Sequence, residues 1–436
     1  MNYRAAAATA AIMSLALVGA ASAKDVVIHA GRLIDGVSKT ERTQVSILIH
    51  DDRIVDVEPG YVAPAGAEVV DLTNATVLPG LIDCHDHITS THDKGNPIAE
   101  RVTQTAFDDA FASVGSARDT LMAGFTTIRD VGADPYVVIA LKKAINKGEI
   151  VGPRMFVAGP PLGPTGGHGD PANGFDPDLT HEHWGDWVID SPEKARFTVR
   201  KLRRMGVDLI KIMPSGGVLS IGDDPSLQLM TDDEIKAVID TAHALGLKVA
   251  AHAHGKQAID HTVMLGVDSI EHGSFADAGS YALMKQHGTY LVPTLLVGQT
   301  VVDIALTHPE ELNPSSAAKA LVVGPRLRKN LNDAYHAGVK IAFGTDQGLA
   351  PHGTNAKEFA LMVKAGMTPM DAIVAATGSA ADLIGDTADI GSIQKGRYAD
   401  IVAVGGDPLV DVTELERVTF VMKGGKVYKG EGAAGR

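Results

Sequence analysis

The chain predicts an α/β fold, a closed (β/α)8 barrel of the TIM type carrying a small β-sandwich domain formed by both termini. Three observations predict it. Between residues 78 and 385, short apolar strands alternate with stretches of 3.6-residue apolar period. Eight such strands end near His87, Asp130, Pro160, Pro214, His254, His272, Thr294 and Asp346. Short alternating strands also stand at both ends of the 436-residue chain, and they flank this βα-rich middle.

Taken in order, residues 1–23 read as a cleavable export signal. Arg4 supplies the positive end, Ala5 to Gly19 an apolar run, and Ala21-Ser22-Ala23 a small-x-small cleavage site before Lys24. The run is too short for a stable membrane span, and no cysteine follows it to carry a lipid. The mature protein is therefore expected to be periplasmic or secreted, with no membrane anchor after signal cleavage.

Residues 24–77 supply the first part of the β-domain, with strands at Val26-Val27-Ile28-His29-Ala30, Gln44 to Ile49 and Arg53 to Val57. Asp51-Asp52 makes the turn between the last two. Residues 386–436 supply the rest, with strands at Asp400 to Val404 and Val418 to Met422 and a third through Tyr428. Within the barrel, Thr231 to Leu245 reads as a helix, with Thr231 as cap and Glu234 completing a capping box. Thr368 to Thr377 reads as a helix that finishes the barrel after its eighth strand.

Composition narrows the partners. Hydrophobic residues make up 45% of the chain, aromatics only 5%, and there are 47 glycines, which suits close packing of repeated βα units. The formal charge of −14 repels nucleic acid and anionic lipid, so neither is an expected partner. The lone Cys84 has no internal disulfide partner and sits inside a strand, where packing is the expected role.

Chemistry gathers at the strand ends, where a barrel places its active site. In Leu78-Pro79-Gly80-Leu81-Ile82-Asp83-Cys84-His85-Asp86-His87 an apolar run ends in two histidines one residue apart. On an extended strand, residues i and i+2 point the same way, so His85 and His87 form half a chelate. Lys211, flanked by Ile210 and Ile212, either snorkels out or is buried. A buried lysine is costly unless paired or altered, and once deprotonated it can add carbon dioxide to give a carbamate that bridges two metals. His252 and His254 share a face, and their spacing does not decide which is the ligand. His272 ends Ser269-Ile270-Glu271-His272. Asp346, after Ile341-Ala342-Phe343-Gly344-Thr345, reads alone as a helix cap; with the histidines and the lysine at equivalent ends it reads as ligand and proton carrier. His168, in Thr165-Gly166-Gly167-His168-Gly169, is either a solvated loop residue or a group facing substrate. Ser215 closely follows Lys211 and is expected to line the pocket. Tyr136, Arg129 and Asp130 fit the mouth or an internal pair, whereas His92, His181, His183 and His352 read as surface residues. Asp223-Asp224 reads either as an attractor for a basic substrate side chain or as a solvated turn.

As a set, the chain resembles the amidohydrolase superfamily, in its imidazolonepropionase-like and metal-dependent prolidase-like branch with ochratoxinase-type amidases. The resemblance is carried by Pro79 to His87, Gly124-Phe125-Thr126-Thr127-Ile128-Arg129-Asp130, Gly166-Gly167-His168-Gly169, Lys211-Ile212, His252-Ala253-His254-Gly255, Ile270-Glu271-His272-Gly273 and Gly344-Thr345-Asp346. It implies two divalent metal ions, with zinc expected and Mn²⁺ or Co²⁺ as substitutes. His85, His87 and Asp346 would hold one, His252 and His272 the other, and a carboxylated Lys211 would bridge them. His254 and His168 would face substrate. Such a pair of ions supplies hydroxide at neutral pH, and Asp346 would carry its proton to the leaving nitrogen.

The reaction expected from this resemblance is hydrolysis of the amide bond of a small peptide or N-acyl amino acid, with a homo-oligomer as the expected assembly. A cyclic-amide or other C–N hydrolase of the imidazolonepropionase kind is the alternative. An esterase, lactonase or organophosphate hydrolase using the same metals is another, and a binding protein with a vestigial metal site is the non-enzymatic one.

Overall fold

The computed structural model describes residues 25–90, 103–176, 178–179, 183–430 and 432. The export segment, His92 and His181 lie outside them.

Strands β1 (Asp25–Leu33), β2 (Arg42–His50), β3 (Arg53–Pro59) and β4 (Glu68–Pro79) come first. The barrel strands follow: β5 (Leu81–Asp86), β6 (Phe125–Asp130), β7 (Arg154–Val157), β8 (Leu209–Ile212), β9 (Lys248–Ala253), β10 (Ser269–His272), β11 (Tyr290–Val292) and β12 (Lys340–Ile341). The chain closes with β13 (Ile401–Val404), β14 (Val418–Lys423) and β15 (Lys426–Lys429).

The two termini build the β-domain together, because β4 lies between β13 and β1 in the order β15-β14-β13-β4-β1-β2-β3. The two layers expected of a sandwich are hydrogen-bonded into this one seven-stranded sheet. It rolls up: the Ile54 amide on β3 donates to the Arg397 carbonyl (2.9 Å), just ahead of β13. Side chains from both ends, among them Ile28, Ile47, Ile401 and Phe420, then share one apolar core. The Tyr398 ring lies between the guanidinium groups of Arg53 (3.6 Å) and Arg154 (3.9 Å), and this clasps β3 of the sheet to β7 of the barrel.

The barrel strands run parallel in two arcs, β5-β6-β7 and β8-β9-β10-β11-β12. Two seams join the arcs. At one, the Leu162 amide donates to the Lys211 carbonyl and the Met213 amide to the Leu162 carbonyl, both at 2.9 Å. At the other, Cys84 donates to Phe343 (2.9 Å), Asp346 to His85 (2.7 Å) and His87 to Gln347 (3.0 Å).

Helices α1 (Ala106–Met122), α2 (Pro135–Asn146), α3 (Pro192–Met205), α4 (Asp232–Ala244), α5 (Lys256–Met264) and α6 (Ala278–His287) follow the strands β5 to β10 in turn. α7 (Leu295–Thr307) and α8 (Pro314–His336) both follow β11, and α9 (Lys357–Lys364), α10 (Pro369–Ala375) and α11 (Gly378–Ile384) follow β12. The capping box on α4 is present: the Thr231 hydroxyl accepts from the Glu234 amide while the Glu234 carboxylate accepts from the Thr231 amide. α10 lies within the stretch expected to end the barrel. The main core fills the space between barrel strands and helices.

Gly80 joins β4 to β5, and a Cβ there would stand 1.9 Å from the Thr126 hydroxyl, so only glycine lets the sheet pass directly into the barrel. Cys84 is buried, and desolvation pushes its thiol up to about 12, in keeping with a packing role. Among the described residues, no helix is long and apolar enough to cross a membrane.

Candidate metal centre

All the candidate ligands stand at the C-terminal rim of the barrel. His85 lies on β5 and His87 just beyond it, Lys211 on β8, His252 on β9, His272 at the end of β10 and Asp346 after β12. Parallel pairing places Lys211 beside Ala250, and Ala250 is two residues before His252, so Lys211 and His252 face the same side. The rings form a continuous chain. His85 is 5.4 Å from His87 and 5.1 Å from His272, centroid to centroid. His252 is 4.7 Å from His272, 4.6 Å from His254 and 4.4 Å from His168.

Backbone conformation at the rim is unusual. His272 (φ 68°), Thr294 (φ 49°) and Asp346 (φ 58°) all sit in the left-handed region. For non-glycine residues this costs about 1–3 kcal/mol each. At β10 the reason is visible. Glu271 reaches His85 and Arg129, so strand alternation would turn His272 the opposite way. The left-handed kink brings both neighbours to the same site.

The imidazoles are held from behind. His85 Nδ1 donates to Glu271 (2.8 Å) and His87 Nδ1 to the Gly132 carbonyl (2.8 Å), which leaves each Nε2 bare. These two nitrogens point at Asp346 Oδ1, from 3.6 Å and 3.1 Å respectively. Acceptors facing acceptors at this distance require a positive charge between them, a proton or a cation. The atoms of His85, His87 and Asp346 all lie within 4.8 Å of one another, so the donor set fits a metal ion. His272 Nδ1 bonds the Thr294 hydroxyl (2.6 Å). His252 differs, because its Nε2 donates to the Gly216 carbonyl (3.2 Å), which leaves Nδ1 as the unprotonated nitrogen of the neutral ring. His254 Nδ1 bonds the Ser274 hydroxyl (2.7 Å).

Titration follows from this enclosure. Burial lowers His85 to about 4 and His254 to about 3, and holds His252 and His272 well below the usual imidazole range. For His87, burial is outweighed by the hydrogen bond and charge of Asp346, and its pKa is raised. Asp346 is held far below the ordinary carboxylate range: burial opposes this, but His85, His87 and Lys211 together outweigh it. Lys211 is 1% exposed, and burial lowers its ammonium to about 8. Among the described residues, no carboxylate stands within ion-pair distance of it. The lysine is buried rather than snorkelling.

Several expectations change. Ser215 is fully buried; its hydroxyl accepts from the His254 amide (3.0 Å) and donates to the Gly216 carbonyl (2.8 Å), so its one hydrogen is committed within the protein. His352 is not a surface residue, since its side chain is 5% exposed and Nε2 donates to the Ser90 carbonyl (2.8 Å). Tyr136 stands exposed on α2, away from any internal pair. The Asp223 side chain is buried and paired with Lys319 (3.2 Å), while exposed Asp224 accepts from the Ser226 amide (2.8 Å) as in a solvated turn. His183 is half exposed, as expected.

Glu271 was missed as a functional residue. It forms a buried pair with Arg129 (2.8 Å); burial raises its carboxyl, but Arg129, His85 and Lys211 together outweigh this and hold it at about 2. The signal was there: Arg129 and Glu271 are charges inside short apolar strands, which demand partners. Asp130 accepts from the amides of Ile88 (2.8 Å) and Gly132 (3.2 Å), and so places the carbonyl that His87 uses.

Groups behind a ligand typically change metal affinity about 10–100-fold when removed. Thr294→Val keeps the β-branched shape and deletes the hydroxyl behind His272. We expect a loss of that size in a chelator-competition titration; unchanged affinity would show that the hydroxyl does not orient the ring.

The amidohydrolase family model matches residues 76–428. Ochratoxinase of Aspergillus niger is 33% identical over 441 residues, covering 96% of this chain and 89% of that protein. The crystal structure of a Xaa-Pro dipeptidase with bound methionine in its active site superposes with a TM-score of 0.90 at 39% identity, covering 93% of this chain and 100% of that one. A prolidase complexed with N-methylphosphonate-L-proline gives 0.86 at 31% identity, over 94% of this chain and 100% of that one. Family match, relatives and rim geometry agree: the chain belongs to the amidohydrolase family.

Proposed function

We propose that this chain, a C–N bond hydrolase of the amidohydrolase family, is exported and cleaves the amide bond of dipeptides or N-acyl amino acids with the help of two divalent ions, zinc being the expected metal. The observation that carries the reading is the set of facing acceptors, His87 Nε2 and Asp346 Oδ1 at 3.1 Å with His85 Nε2 at 3.6 Å. In this reading His85, His87 and Asp346 hold one ion, and His252, through its free Nδ1, and His272 hold the other.

Lys211 is assigned as the bridge. A buried amine that loses its proton forms an N–C bond to carbon dioxide at Nζ and sheds a second proton, giving a carbamate with two oxygen donors. Its burial, its lowered proton affinity and the absence of an ion pair among the described residues all support this. When bound, the ions supply a water of lowered proton affinity and a Lewis-acid contact for the scissile carbonyl. Asp346 accepts the attacking water's proton and delivers it to the leaving nitrogen. His254 and His168, next to His252, are assigned to substrate.

Dipeptide-sized amides are favoured because two of the similar structures are a Xaa-Pro dipeptidase and a prolidase bound to N-methylphosphonate-L-proline. Export is supported by Arg4, the Ala5 to Gly19 run and Ala21-Ser22-Ala23.

Lys211→Ala is expected to lose turnover by orders of magnitude and to regain part of it with a short carboxylic acid; full metal occupancy with normal turnover would exclude the bridge. Xaa-Pro and Xaa-Arg or Xaa-Lys dipeptides and N-acetyl amino acids, assayed for ninhydrin-positive release, should yield free amine. Hydrolysis confined to esters or lactones would sink the amidase assignment. N-terminal sequencing of the protein from its natural host should begin at Lys24, and an intact Met1 end would remove export.

A further inference from the structure

Behind His168 stands a chain of polar groups that ends away from the metal centre. His168 Nδ1 lies 2.8 Å from the Ser220 hydroxyl, and that hydroxyl donates to Asp223 Oδ1 at 2.5 Å. Asp223 in turn pairs with Lys319, on α8, at 3.2 Å. The Lys319 ammonium is further fixed by the carbonyls of Gly217 (2.7 Å), Ser220 (2.6 Å) and Asp223 (3.3 Å). The face of the His168 ring lies against Gly217, where a Cβ would meet Nδ1 at 2.3 Å and Cε1 at 2.4 Å. Glycine therefore admits the ring, Ser220 sets its rotation, and Lys319 staples the loop that carries both.

The direction of these bonds decides where the proton sits. A serine hydroxyl has one hydrogen to give. In its ion pair with Lys319 the Asp223 carboxylate offers only acceptor oxygens. At 2.5 Å, two oxygens without a proton between them repel, so the Ser220 hydrogen must point at Asp223. Ser220 Oγ then accepts, and the hydrogen bond it accepts comes from Nδ1–H of His168.

We propose that Ser220, Asp223 and Lys319 are positioning residues that keep a proton on Nδ1 of His168 and leave Nε2 as the nitrogen that meets substrate. In the neutral ring, Nε2 is then a hydrogen-bond acceptor, matched to an N–H or ammonium group of a peptide-like substrate rather than to its carbonyl oxygen. The inference rests on the reading of His168 as a substrate-facing residue.

Two measurements on the intact, metal-loaded protein test it. With ¹⁵N-labelled histidine, two-bond ¹H–¹⁵N spectra distinguish the tautomers, and the His168 signals are identified by their loss in His168→Gln. A pyrrole-type Nδ1 with a pyridine-type Nε2 is expected, and the reverse pattern overturns the proposal. In dipeptide kinetics, Ser220→Ala should lower kcat by about 10–100-fold at unchanged metal content, the range for residues acting behind a functional group, while Ser220→Thr restores most of it. Equal activity of the Ala variant and the wild type also overturns the proposal. If no amide is turned over by the wild type, the hydrolase reading fails, and the tautomer spectrum still decides this inference.

Discussion

One backbone hydrogen bond, from the Asp346 amide to the His85 carbonyl at 2.7 Å, holds the first and last barrel strands in the register that the site needs. Its neighbours, Cys84 to Phe343 and His87 to Gln347, lock the same seam. A slip of one residue here would reverse the faces of β5 and swing both histidines away from Asp346. The opposite seam does the same for Lys211, whose carbonyl accepts from Leu162. His85, His87 and Asp346 thus stand at one closing seam and Lys211 at the other, with His252 and His272 on β9 and β10 between them.

Strain at the rim is offset locally. His272 keeps its left-handed backbone because Thr294 holds its ring and the Asn330 side chain donates to its carbonyl (3.1 Å). Thr294 is itself left-handed, and the amides just after it, Leu295 and Leu296, donate to the buried Glu358 carboxyl. Burial drives that carboxyl up to about 8. The rim is thus a set of individually unfavourable conformations, each satisfied by a named partner, as sites that must be pre-organised tend to be.

The loop after β8 has an unusual share in the site. Gly216 bonds His252, Ser215 bonds the backbone of His254, and Ser220 bonds His168. One segment thus touches three histidines of the site, two through their rings and one through its backbone amide, and α8 anchors it through Lys319. Changes on the outer helix have a short physical path to the chemistry.

Much of this was legible along the chain. The (β/α)8 pattern, the terminal β-domain, the capping box on α4 and the rim residues His85, His87, Lys211, His252, His272 and Asp346 follow from periodicity, local spacing and family motifs, all of which are properties of neighbouring residues. What the chain alone left open is what depends on partners distant in sequence. Whether Lys211 is buried was decided by packing. The Ser215 hydroxyl is tied to the His254 amide just beyond β9, and His352 left the surface because its ring meets the Ser90 carbonyl. Glu271 became the support of His85 only when β5 and β10 were brought across the barrel. Hydrogen-bond direction is fixed by the full set of donors and acceptors around an atom, and only the folded chain supplies that set.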